Sequence, residues 1–470
     1  MRKPLLSLLA LASISLSALA DGLPPNVLKA LKAAQIPAAN VAVVVQPVDA
    51  AQPLVAHNAA QSMNPASVMK LLTTYAALDL LGPAWTWKTT AWVESVTVDG
   101  RLDGNLYLKG SGDPRFAIEH LSGLLRQLRV RGIQHIAGDV VLDRTVFNVP
   151  SIDPSAFDDK PMRPYNVGPD GLLINFRALR FTLQPDNSRP RVLMETPSDG
   201  LRVDNQLRNG EGGCSSNWKD LINVRLIPEN NGNRLEFTGT YSALCGEKPL
   251  NLAPLPADAQ AGGLIRALWQ ELGGTLGGQV RAGNVAAGSR LLATHESPPL
   301  ADAVRDINKY SNNVMAQQVF LSLTRPTSTQ PATPEAAREV LRTWWLQRIN
   351  PTDPPTIDNG SGLSRLTRLT ARDLATLLRV AYASPAMPEL MASMPLTGLD
   401  GTLKRSRATA GRAHLKTGSL RDVMALAGYV HGAHGKQLCL VAIVNHANAA
   451  AARPALDALL SWALGDNAGP

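Results

Sequence analysis

The sequence predicts an α/β protein whose two ends build one domain and whose middle is a long insertion of mainly β character. Three observations carry this. Strand-like runs stand near both ends, NVAVVVQPVD and PLVAHNAA early and KQLCLVAIVN late. Helix-patterned segments surround them, before residue 82 and again from His295 onward. Between about Trp92 and Leu291 the chain reads instead as short strand-like runs, such as SVTVDGRLDGNLYLKGSGD and RLEFTGTYS, broken by Gly, Pro and Asn.

At 470 residues, with 45% hydrophobic and 18% charged residues, the chain is an ordinary globular one, long enough for more than one domain, and not of a disordered class. Its first twenty residues, MRKPLLSLLALASISLSALA, combine a basic start, an apolar middle and small residues at Ala18 and Ala20. This predicts a secretory signal cleaved after Ala20 and a periplasmic mature protein. A retained membrane helix fits less well, because the apolar run is short and interrupted by serines. No later stretch is long and apolar enough to span a bilayer, and the closing ARPALDALLSWALG lacks the basic polar face of a surface anchor, so membrane association is at most peripheral.

The early strands lead into NPASVMKLLTTYAALDLL, Asn64 to Leu81. Asn64 suits an N-cap and Pro65 the first helical position, and Val68, Leu71, Leu72, Tyr75, Leu78 and Leu81 have the spacing of a core-facing helix. Ser67 and Lys70 then share one face near the helix's positive end. Two readings are open here. A Ser-x-x-Lys should occur about once by chance in a chain this long, leaving a helix-start serine and a solvated lysine; alternatively Lys70 loses its proton in a dry site and activates Ser67 as a nucleophile. Ser216 and Lys219 form a second such pair in CSSNWKDLINVRL, but no capped helix presents it, and we assign it to chance.

Within the insertion, roughly residues 185–251 read as a separate small β-rich unit carrying Cys214 and Cys245 in polar, turn-rich sequence. Export to an oxidising compartment predicts a disulfide between them, stabilising by about 3 to 4 kcal/mol, and a buried thiol at Cys439 in QLCLVAIV. Three free thiols are the alternative. After the insertion, PLADAVRDINKYSNNVMAQQVFLSL, PEAAREVLRTWWLQRI and TARDLATLLRVAYA read as helices. HLKTGSLRDVMALAGYV and KQLCLVAIVN read as strands joined by a hairpin at HGAHGK, before a last helix. His431 and His434 in that hairpin lack a nearby third ligand, so no metal site is expected.

Formal net charge is +8, or +6 once Arg2 and Lys3 leave with the signal. The basic residues are scattered and accompany no nucleic-acid motif, so no nucleic-acid partner is expected. Affinity for anionic cell-envelope polymers is compatible with the charge.

Two further motifs complete a set. YSNN supplies Ser311 and Asn313 in a loop leading into a helix, and LKTGS supplies Lys416, Thr417 and Gly418 on a strand. Ser-x-x-Lys, Ser-x-Asn and Lys-Thr-Gly in that order match the penicillin-recognising serine enzymes; any one is weak, and the three together are specific. The separation of Ser67 from Ser311 is far longer than in β-lactamases, and DNGSGLSR (Asp358 to Arg365) adds to the likeness. Over essentially its whole mature length the chain resembles the class C low-molecular-mass penicillin-binding proteins, the D-alanyl-D-alanine carboxypeptidase/endopeptidase family of the DacB (penicillin-binding protein 4) type.

That resemblance implies a transpeptidase/β-lactamase-like domain, a five-stranded antiparallel sheet flanked by helices, split by an inserted region of two smaller, mainly β domains. The expected division is residues 21–91 and 292–470 for the catalytic domain, 92–184 and 252–291 for the second, and 185–251 for the third. It also implies peptidoglycan stem peptides ending in D-Ala-D-Ala, or cross-linked through D-Ala, as substrates, β-lactam antibiotics as covalent inhibitors, and no cofactor. Ser67 would attack the penultimate D-Ala carbonyl, with Lys70 as base, its pKa lowered by burial and by Lys416. Ser311 would pass a proton to the leaving amine, Asn313 would bind the substrate amide, and Thr417 with Lys416 would hold the terminal carboxylate. The oxyanion would lie between the N–H groups of Ser67 and Ser419, Gly418 leaving room for the approach.

For the diaminopimelate side chain of Gram-negative stem peptides, local match to the family implies Arg365 and Arg421 at the carboxylate, Asp159 at the ammonium, or Asp158 with a one-residue shift, and Tyr165 as a pocket wall. The alternatives at this point are a β-lactamase or esterase of the same chemistry, and a non-catalytic peptidoglycan-binding or β-lactam-sensing protein.

Overall fold

The computed structural model describes residues 22–94, 99–215, 217–406 and 410–465. The expected signal and Ser216 lie outside the described residues.

The central sheet draws its strands from opposite ends of the chain. Val41–Pro47 pairs with Val55–His57 on one side and with Gln437–Asn445 on the other. Gln437–Asn445 continues to Val423–His431, and that strand to Ala413–Leu420 at the edge, giving five strands, all antiparallel. Alternate residues divide between two cores. Ala42, Val44, Cys439, Val441 and Ile443 pack with Leu71, Leu72, Ile307 and Leu374 of the helices on one face. Val41, Val43, Val45, Leu440, Ala442 and Val444 pack with Val27 and Leu31 of Pro25–Ala33 and with Leu456, Leu459 and Leu460 of Arg453–Leu464 on the other. Successive strand residues point to opposite faces, so runs apolar at nearly every position are what a sheet covered on both sides requires. The closing helix is a core element, and no helix among the described residues is long and apolar enough to cross a membrane.

The stretch from His414 to Val430 is itself a hairpin, turning at Arg421 and Asp422. That turn carries none of the Gly, Asn or Pro that marks HGAHGK, so the sequence does not announce it.

The insertion holds two further cores. A second five-stranded sheet orders Val280–Ala282, Val140–Asp143, Leu106–Lys109, Lys88–Val93 and Arg290–Glu296, and packs beneath the helices Ile118–Val130 and Ala257–Glu271. Internal glycines (Gly123, Gly262, Gly263) weaken the helical signal of those two segments. The third core gathers Leu179, Phe181, Leu183, Phe237, Tyr241 and Leu250. The cuts expected at 91/92 and 291/292 therefore run through two strands that pair with each other. Leu179–Gln184 and Lys248–Leu252, which pair, belong with the third core. We propose 88–178 with 253–296, and 179–252, as the inserted units. Cys214 and Cys245 are bonded at 2.02 Å, and Cys439 is free and buried.

Candidate active site

Ser67 lies between two buried faces of the catalytic half. The expected helix start at Pro65 is instead a 3-10 turn, Ala66–Met69, and the α-helix proper begins at Lys70. Ala66 explains the difference: its φ of 48° is left-handed, a strained setting for a residue with a Cβ. Asn64 still caps the turn through Oδ1, which accepts from the Ala66 N–H at 2.9 Å, and it exchanges hydrogen bonds with Asn445 of the central sheet. Two glycines hold the turn from outside. A Cβ on Gly418 would stand 2.6 Å from the Pro65 oxygen, and one on Gly362 would stand 1.9 Å from the Ala66 oxygen. Ser67 is the one partly exposed residue in this otherwise buried run from Met63 to Leu78.

Lys70 is fully buried. Its Nζ lies 2.9 Å from Ser67 Oγ, 2.7 Å from Asn313 Oδ1 and 2.5 Å from the Ser361 carbonyl. Burial, and secondly the positive charge of Lys416, hold its ammonium well below the usual lysine range. The three contacts suit a neutral amine, which has two N–H groups for the two carbonyl oxygens and one lone pair for the Ser67 hydroxyl to donate into. Lys416, also fully buried, is pushed down to about 7 by burial; its Nζ donates to Ser311 Oγ at 2.9 Å and to the Thr417 carbonyl at 2.7 Å.

A lysine held neutral in the folded state costs stability wherever the unfolded chain is protonated. From about pH 7 to 10.5 the unfolded state binds more protons at this group, so stability rises with pH across that window and the full cost applies below about 7. Lys416→Met should therefore raise the melting temperature most at pH 6, with the gain shrinking toward pH 10. The upper bound is on the order of 5 kcal/mol, reduced by two lost hydrogen bonds. Paired thermal melts of parent and variant at pH 6 and 9.5 check it; a gain that does not change with pH contradicts it.

Ser311 caps the helix Leu300–Tyr310 in a left-handed conformation, φ 58°, which points the next residues into a new helix. Asn312 caps that helix and Asn313 begins it. Asn313 Nδ2 donates to the Tyr165 carbonyl at 3.0 Å, which fixes its amide orientation. Both ends of the Asn313 amide are thus engaged by the protein, and a substrate amide would have to take over one of these bonds. Thr417 Oγ1 lies 2.7 Å from Thr402 Oγ1, and Ser419 is exposed one residue beyond Gly418.

The side-chain pocket differs from expectation in its details. Asp158, not Asp159, accepts from the Tyr165 hydroxyl, at 2.7 Å. Asp159 adopts φ 58° and lines a separate cavity. Arg365 pairs with Asp422 at 2.8 Å and stacks 4.7 Å over Phe157, while Arg421 is exposed with no ion-pair partner among the described residues. Sequence reading gave no role to Ser361, Gly362, Thr402, Asn445 or Asp422. The first two carried a usable signal: glycines flank Ser361, and both need left-handed φ, 72° and 77°. Lys219 of the second Ser-x-x-Lys sits in a 3-10 turn, Trp218–Leu221. Among the described residues no group of three or more His, Cys, Asp or Glu side chains gathers as a metal site.

Residues 23–464 match the profile of the family described as D-Ala-D-Ala carboxypeptidase 3 (S13). The D-alanyl-D-alanine carboxypeptidase DacB of Haemophilus influenzae is 26% identical over 451 residues, covering 93% of this chain and 90% of its own. A D-alanyl-D-alanine carboxypeptidase of an Actinomadura species is 28% identical over 453 residues, covering 91% and 81%. The crystal structure of penicillin binding protein 4 (dacB) from Haemophilus influenzae is similar with a TM-score of 0.74 at 24% identity, over 93% of this chain and 99% of that one. The same protein complexed with a β-lactam is similar with a TM-score of 0.68, over 89% and 93%.

Proposed function

The chain belongs to the D-Ala-D-Ala carboxypeptidase 3 (S13) family and is a serine-type D-Ala-D-Ala carboxypeptidase, and from that premise we propose that Ser67 is its nucleophile and Lys70 its general base. The observation that carries this is the Lys70 amine, buried, its proton affinity lowered by burial and by Lys416, and 2.9 Å from Ser67 Oγ. Ser67 Oγ attacks the carbonyl of the penultimate D-Ala as its proton passes to Lys70. The tetrahedral oxyanion is met by the N–H groups of Ser67 and Ser419. The C–N bond breaks as the leaving amine takes a proton from Ser311, which Lys416 resupplies at 2.9 Å. The proton that Lys70 took from Ser67 passes on to Lys416, which restores both groups; water then attacks the acyl-enzyme with Lys70 again as base, and that proton returns to Ser67 Oγ as the ester bond breaks. Thr417 and Lys416 bind the terminal carboxylate. β-Lactams acylate the same serine, in keeping with the β-lactam complex of a relative.

The same site should also cleave D-Ala-diaminopimelate cross-links of peptidoglycan stem peptides. Tyr165, Asp158, Arg365 and Arg421 would receive the diaminopimelate side chain. The basic start, apolar run and Ala20 of the first twenty residues, together with the Cys214–Cys245 bond, support export to the periplasm.

The test is release of free D-Ala from a peptide ending in D-Ala-D-Ala by the parent and by Ser67→Ala; release that survives the substitution rejects the reading. In the same assay Arg365→Ala should lose about tenfold in kcat/KM on a diaminopimelate peptide, the size of one charge-assisted contact, and little on the lysine analogue. Equal losses on both peptides would mean that Arg365 holds the loop through Asp422 and Phe157 instead.

A further inference from the structure

We propose that the cavity between residues 159–163 and the strand Ile222–Glu229 is a second peptide subsite, which takes the carboxylate-bearing stem peptide on the other side of a cross-link. This rests on the endopeptidase reading above. The cavity measures about 650 Å³, within the range of sites that bury a small molecule. Its walls are charged, with Lys160, Arg163, Lys219 and Arg225 against only Asp159 and Asp220. Its floor is apolar, formed by Met162, Ile222, Leu250 and Leu252. A ligand that fits carries more than one carboxylate, at least one ammonium and small apolar groups. A stem peptide of L-Ala, γ-linked D-Glu and diaminopimelate has that composition.

Three of the four cations have carboxylate partners and the fourth has none among the described residues. Asp220 serves both Arg163, at 3.4 Å, and Lys160, at 3.9 Å. Arg225 is drawn toward Glu236 at 3.3 Å. Lys219 has no carboxylate partner among the described residues and only the Trp218 ring, 5.5 Å away. Although its tip reaches solvent, surrounding protein and then the Arg163 charge both lower its proton affinity, a strain that a bound carboxylate relieves.

Asp158, the chain neighbour of the lining residue Asp159, is tied to the base. Asp158 holds the Tyr165 hydroxyl, the Tyr165 carbonyl holds Asn313, and Asn313 holds Lys70. Asp159 and Tyr165 are six positions apart, at most about 20 Å of chain, so one cross-linked substrate can reach both sites.

The experiment is calorimetric titration of the intact protein with the tripeptide L-Ala-γ-D-Glu-diaminopimelate, which lacks the scissile D-Ala-D-Ala bond. Inorganic phosphate is titrated as a second arm. The tripeptide should bind the parent, bind at least tenfold more weakly to Lys219→Ala and to Lys219→Glu, and keep its affinity in Lys219→Arg. D-Ala release from a short D-Ala-D-Ala peptide should be the same in all four proteins. No tripeptide binding, or affinity unchanged by Lys219→Glu, overturns the subsite. Equal binding of phosphate reduces it to a general anion patch, and a parallel fall in short-peptide turnover makes Lys219 a structural residue. Failure of the parent to release D-Ala would instead reject the functional reading, so the two failures are told apart.

Discussion

Lys70→Ala should slow acylation of the protein by benzylpenicillin by about 10²- to 10⁴-fold, the usual worth of a positioned general base, while leaving it folded. The fold should survive because the depressed proton affinity of a fully buried amine is a cost to it, and losing that cost offsets part of what goes with the Lys70 stem and its three hydrogen bonds. Lys70→Arg should not rescue the rate, since a guanidinium stays protonated and offers no lone pair to the Ser67 hydroxyl. Stopped-flow acylation of parent and both variants checks this. A loss under fivefold in Lys70→Ala would assign the base elsewhere.

Gly418→Ala should cost at least about 100-fold in the same assay, by geometry alone. Its new methyl carbon would lie 2.6 Å from the Pro65 carbonyl oxygen and 3.2 Å from the Ser67 nitrogen, both backbone atoms that cannot turn aside. The edge strand must therefore move off the serine turn, taking Lys416 and Ser419 with it, and a shift of about 1 Å in catalytic groups is worth two orders of magnitude. Stability should fall by about 1 to 3 kcal/mol, as for an overpacked core. Gly213→Ala, where the added atom meets nothing within 4 Å, is the matched control and should be silent. A Gly418→Ala enzyme with near-parent acylation would show that the strand's closeness to Ser67 is not needed.

The parts of the site that sequence displays are those whose chemistry needs particular residue types at short spacing. Ser67 with Lys70, Ser311 with Asn313, and Lys416 with Thr417 and Gly418 each stand within a few residues of one another. The structure brings the three pairs together from the serine turn, the Ser311 cap and the edge strand. The sheet was legible for a similar reason, since Val41–Pro47 and Gln437–Asn445 are apolar at almost every position.

What stayed hidden depends on contacts distant in sequence or on backbone atoms. Ser361 reaches Lys70 through its carbonyl, 291 residues away, so no side-chain motif records it. Arg365 pairs with Asp422 across 57 residues, at a hairpin turn that carries no glycine. Asp158 and Asp159 are chemically identical neighbours, and only the left-handed φ of Asp159 decides which of them meets Tyr165. The expected boundaries fall inside the paired strands Lys88–Val93 and Arg290–Glu296, although the Gly and Pro punctuation stands just outside them, at Gly82, Pro83, Pro298 and Pro299.

The most direct test of Ser67 as the nucleophile is intact-protein mass and peptide mapping after treatment with benzylpenicillin. One adduct of the antibiotic's mass per chain, carried by the peptide that contains Ser67 and absent from Ser67→Ala, is the predicted result. An adduct on Ser216, or one that persists in Ser67→Ala, would contradict it.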